Sequence, residues 1–114
     1  MTKWVNLMTI YKAPFEQFTV SLDFSADIGV GDSVASITGV TATSNLTGLD
    51  STAQVIASSP APQISGTAVV FTLAGYAAGG PTGGAVGERH TITVQIVSST
   101  GEKYQGDVTL EVVQ

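Results

Sequence analysis

The residues whose types could do chemistry are few. His90 is the single histidine, and the 114-residue chain has no cysteine. One imidazole without thiolates falls short of a transition-metal site, which takes three or four nitrogen or sulfur ligands. His90 could instead serve as general base to a serine, with Asp107 on the neighbouring final strand as the orienting acid. Eleven serines are available. None stands in a Gly-x-Ser-x-Gly elbow, the strained turn that projects a nucleophile. The ordinary role, a strand-start imidazole bonded to a nearby carbonyl, is therefore favoured. An enzyme would need one pocket that brings His90 within reach of a carboxylate and a serine.

Nine carboxylates are spread along the chain. Any nine contain pairs, so the two-carboxylate pattern of a glycosidase carries little information. Asp23, Asp27 and Asp32 surround one turn but lack the EF-hand spacing. Asp27 and Asp32 are read as turn residues that accept bonds from nearby amides. The run Gly79-Gly80-Pro81-Thr82-Gly83-Gly84 lacks the Gly-Lys-Ser/Thr ending of a phosphate loop, and no helix is expected after it. It reads as a long flexible connection that could order against a neighbouring subunit. Asn45-Leu46-Thr47 fits a glycosylation sequon and is read as a chance match, because Met1 to Asn6 do not open a secretory leader. No catalytic residue, metal ligand or cofactor is expected.

The elements that must carry these residues are strands. Val, Ile and Thr make up 36 of the 114 residues, against 22 straight-chain helix formers, and β-branched side chains favour the pleated conformation. Phe18, Val20, Leu22 and Phe24 alternate with Thr19, Ser21 and Asp23, which predicts a half-buried strand. Strands are also predicted over Val34–Ala42, Gln54–Ala57, Ile64–Leu73, His90–Val97 and Tyr104–Val113. In the second, Ser36, Thr38 and Val40 are expected on one face and Ala35, Ile37 and Gly39 on the other. Thr43 to Gly48 reads as a loop. Ile92, Val94 and Ile96 are expected to face inward, as are Val108, Leu110 and Val112. The turn Ser98-Ser99-Thr100-Gly101-Glu102 joins the last two strands.

Six or seven short strands without a convincing helix predict an all-β, immunoglobulin-like antiparallel β-sandwich over residues 12–114, with residues 1–11 as an arm or edge strand. A closed barrel is the alternative. The formal charge is −5 and only 11% of residues are charged. An acidic balance argues against nucleic-acid backbones and anionic membranes as partners.

One ordered set of motifs goes further. Lys12-Ala13-Pro14 precedes the strand ending Asp23-Phe24. Then come Gly31-Asp32-Ser33-Val34, the Phe71–Gly75 strand end, His90-Thr91-Ile92-Thr93-Val94, Thr100-Gly101-Glu102 and Val108–Val112. This order resembles small Ig-like virion proteins of tailed bacteriophages and prophages, of the fibre–tail adaptor or head–tail accessory type, over residues 12–113. The chain departs from it in carrying His90 where relatives usually have Tyr, and in a longer segment at 76–89.

The resemblance implies a non-enzymatic structural protein of the virion, made in the host bacterial cytoplasm. It would act through other virion proteins and as a homo-oligomer. Trp4, Val5, Leu7, Met8 and Ile10, together with Tyr76, are expected to dock on a partner. The competing expectation is a carbohydrate- or cell-surface-binding module that stacks glycans on Tyr11, Phe15, Tyr76 or Tyr104.

Overall fold

The computed structural model describes residues 9–114. Trp4, Val5, Leu7 and Met8 lie outside the described residues.

Among the described residues, seven strands and one helical turn follow in the order β1 (Thr9–Lys12), β2 (Phe18–Asp23), β3 (Val34–Ser44), α1 (Thr52–Val55), β4 (Gln63–Ser65), β5 (Ala68–Leu73), β6 (Arg89–Ser98) and β7 (Lys103–Val112). They form two sheets, β1-β7-β6-β3 and β2-β5-β4. Every pairing is antiparallel except β1 with β7, which is parallel and sets Ile10 beside Leu110. The antiparallel expectation therefore needs this correction at its first strand. A parallel neighbour is reached only by a long crossover, and here the rest of the domain supplies it.

The alternation read from the sequence builds the core. Leu22 and Phe24 of one layer, with Val69, Phe71 and Leu73, meet Ile92, Val94, Ile96, Val108 and Leu110 of the other, all at 2% exposure or less. Gly106 lets the layers close. A Cβ there would sit 3.1 Å from Leu22 and 3.4 Å from the Phe24 ring.

Four expectations are corrected. Gln54 to Ala57 is not a strand: Thr52–Val55 is a helical turn, and only Ile56 bridges to Leu73. The Asp50 carboxylate takes both the Thr52 amide (2.9 Å) and the Thr52 hydroxyl (2.6 Å). These local bonds curl the backbone before a ladder can form. Ile64 to Leu73 is a hairpin of β4 and β5, not one strand, because Gly66 takes the left-handed φ of 61° that a tight turn needs. β3 runs on through Thr43 and Ser44, where a loop was expected. Its two register shifts, between Val34 and Ser36 and between Ile37 and Gly39, break the expected facing. Val34, Ala42 and Ser44 end up buried, whereas Ser36 and Thr38 are exposed.

Candidate functional site

The register sorts the connections between the two ends of the sandwich. Lys12 lies beside Val112, Ser44 beside His90, and Phe18 beside Leu73. One end therefore carries the loops at 13–17, 45–51 and 74–88. The turns at 24–33, 66–67 and 99–102 lie at the other.

The loop at 13–17 is built around Lys12. This lysine is fully buried. Its ammonium donates to the carbonyls of Ala13 (2.8 Å), Pro14 (3.3 Å) and Glu16 (2.9 Å), which uses its three protons. Burial lowers the Lys12 pKa, and the Glu16 carboxylate partly opposes that shift. Glu16 also accepts the Ala13 amide at 2.7 Å. The Tyr76 amide donates to the Pro14 carbonyl at 2.8 Å. Gly75 lies so close to Phe15 that a Cβ would overlap the Phe15 carbonyl oxygen. Phe15 and Tyr76 thus stand on two backbone segments held against each other, at 82% and 59% exposure. Leu46, Leu49 and Val86 are exposed on the other loops of this end. At the opposite end, among the described residues, the exposed large apolar side chains are Val30 and, beside the turn at 66–67, Ile64 at 41% exposure.

Beside this surface lies a pocket of about 420 Å³. Its floor is a chain of three side chains. Ser51 Oγ stands 2.8 Å from His90 Nδ1, and His90 Nε2 stands 3.1 Å from Glu88 Oε1. Ser51 and His90 are buried. A neutral imidazole with its proton on Nε2 donates to Glu88 and accepts from the Ser51 hydroxyl. Glu88 also takes the Ala85 amide at 2.8 Å. That bond first, and then the hydrogen bond of His90, hold the Glu88 carboxyl below its ordinary range. Asp50 on the wall is held low by the hydroxyl and then the amide of Thr52. Gly84 has φ 87°, and a Cβ there would meet Val112 at 2.7 Å and His90 Nε2 at 3.5 Å. Only glycine, with this positive φ and no Cβ, lets the loop lie this close to Val112.

The pocket thus brings His90 to a serine and a carboxylate, the grouping an enzyme reading required. The carboxylate is Glu88, whereas Asp107 is exposed and pairs with Thr93 three positions farther along the hairpin. Among the described residues, four backbone amides around this grouping are already engaged: those of Ser51, Thr52, Gly84 and Ala85 donate to Ala42 O, Asp50, Thr82 and Glu88. The trio ties α1, β6 and the loop at 74–88 together.

The other expected residues fall in different places. Ile10 is buried in its own core at 8% exposure. It is therefore corrected from a docking side chain to a packing one, because β1 pairs along β7 with Ile10 facing inward. Tyr76 is at the loop-rich end. Tyr11 is exposed, in register with Glu111, which pairs with Arg89 at 3.3 Å. Tyr104 lies toward the far end, donating to Glu102 at 3.0 Å. Asp32 accepts the Ser33 amide and the hydroxyls of Ser99 and Thr100, which pull its pKa down to about 2, Ser99 first. Asp27 Oδ2 is buried without a hydrogen-bond partner among the described residues, where an amide partner was expected. Among the described residues no three His, Asp or Glu side chains could hold a metal ion, and no helix is long and apolar enough to cross a membrane. No known protein-family model matches the chain, and a search of curated proteins finds no similar sequence.

Proposed function

We propose that this chain is an immunoglobulin-like sandwich that serves as a non-enzymatic structural domain of a bacteriophage or prophage virion, packing against neighbours through its loop-rich end. The observation that carries the packing role is the Phe15–Tyr76 pair, two exposed aromatics on a backbone already fixed by the buried Lys12 ammonium. Rigid exposed aromatics lose little entropy on association and are typical interface anchors. Leu46, Leu49 and Val86 extend the apolar area on the same end. The immunoglobulin-like assignment is supported by the strand partition. The second, fourth and fifth strands form one sheet, and the third, sixth and seventh form the other with the first strand added at its edge. The virion setting, with assembly after synthesis in the host cytoplasm, rests on the motif order from Lys12 to Val112.

The test is assembly. The purified chain is examined by sedimentation over a wide concentration range, and its incorporation into particles is followed in a host. Phe15→Asp with Tyr76→Asp should abolish self-association and incorporation while leaving the circular dichroism unchanged. Full assembly by this double variant would overturn the role given to the aromatic pair. A wild-type chain that neither self-associates nor enters particles would overturn the packing reading itself.

A further inference from the structure

The pocket over His90 adjoins the packing surface, shares Leu49 with it, and differs from it in chemistry. Leu49 and Ala85 give it an apolar strip, and Asp50, Gln54, Thr82 and Glu88 surround that strip with hydrogen-bonding groups. Among the described residues no Lys or Arg lines it. Gln54 uses its carbonyl on the Thr82 amide at 2.9 Å. Its NH2 group, Asp50 Oδ2 and Glu88 Oε2 have no partner among the described residues. The site therefore offers donors as well as charged acceptors around a patch that C–H groups can cover.

We propose that this pocket binds one pyranose ring of a neutral or amino sugar, with Asp50 and Glu88 accepting ring hydroxyls, Gln54 donating, and Leu49 and Ala85 carrying the apolar face. Size and chemistry both support this class of ligand. A volume of about 420 Å³ lies at the lower end of the range for small-molecule sites. Carboxylates are strong acceptors for hydroxyl donors, because the acceptor is charged. Phosphates, sulfates and uronic acids are disfavoured, since they would place an anion beside two carboxylates with no cation to offset it. The Ser51–His90–Glu88 chain, with Ser51 and His90 buried and Glu88 partly exposed, acts as a positioning device. It fixes one Glu88 oxygen and leaves the other for ligand. The inference does not depend on the packing reading.

The test uses the full chain labelled with ¹⁵N. It is titrated with the methyl glycosides of glucose, galactose, mannose, N-acetylglucosamine and glucosamine, and with methyl glucuronide. At least one neutral or amino glycoside should give saturable shifts at the amides of Leu49, Thr52, Gly84 and Ala85, with a Kd of about 1–10 mM for so small a ligand. The glucuronide should bind about tenfold more weakly or worse. Asp50→Asn, which keeps an acceptor for the Thr52 amide, should weaken the neutral ligand by about tenfold, the scale of one charge-assisted bond. It should also narrow the gap to the glucuronide. No saturation with any neutral or amino glycoside at several tens of millimolar would overturn the proposal, as would equal binding of the glucuronide or shifts confined to other surfaces. Phe15→Asp with Tyr76→Asp should leave these titrations unchanged, so failure of the packing reading and failure of this one are told apart.

Discussion

Two buried polar residues, Lys12 and His90, organise the loop-rich end, and each makes a prediction. Lys12→Met keeps the aliphatic stem but strands three carbonyls that now accept from the ammonium. The expected loss is about 2–4 kcal/mol, read as a lower urea midpoint. Amide exchange should accelerate first at Phe15, Glu16 and Tyr76. His90→Phe preserves the ring but leaves the Ser51 hydroxyl and one Glu88 bond unmatched, for a loss of about 1–3 kcal/mol in the same measurement. The two residues differ in how far their sequence announces them. A lone histidine at a strand start draws notice. Its partner Ser51 does not, because it lies 39 positions away and meets the imidazole only in the folded chain. Lys12 carries one readable sign: it stands two residues after Ile10, on the same inward phase of β1. Its burial depends on the loop that wraps it, which no periodicity encodes.

The strands follow their side-chain alternation closely where one face is apolar throughout. β2, β5, β6 and β7 were legible for that reason, since a slip of one residue would turn every apolar side chain to water. Gly106 is the exception within β7, an inward position with no side chain of its own. Gly106→Val should push against Leu22 and Phe24 and cost about 1–3 kcal/mol, seen as a reduced melting temperature. β3 was less legible, because its Ala, Ser, Thr and Gly residues give weak alternation and its two irregularities shift the phase. The stretch at Gln54 to Ala57 misled for a different reason. Apolar Val55 and Ile56 suit a strand, but the Asp50 carboxylate holds Thr52 in a helical turn. This local side-chain–backbone turn outcompeted pairing there.

At the scale of the whole molecule, acid should be the weak side of stability. Asp23, Asp32, Asp50 and Glu88 all have folded-state pKa values below their ordinary ones, Asp32 at about 2. Such groups stabilise the fold above their unfolded pKa of about 4, and that contribution is lost as pH falls toward the folded value. The urea midpoint should therefore be flat from about pH 7 to 5 and decline below about 4.5. Asp32→Asn should flatten the most acidic part of the decline. The chain's own residues determined the layered strands, the inward faces and the acidic, cysteine-free surface, because alternation and composition act over a few neighbours. Tertiary structure alone decided that β1 pairs with β7, that the loop of Phe15 lies against the backbone at Gly75 and Tyr76, and that Ser51, His90 and Glu88 share one pocket. Each of those arrangements brings together segments far apart in the chain, and their geometry exists only after the two sheets have closed on the core.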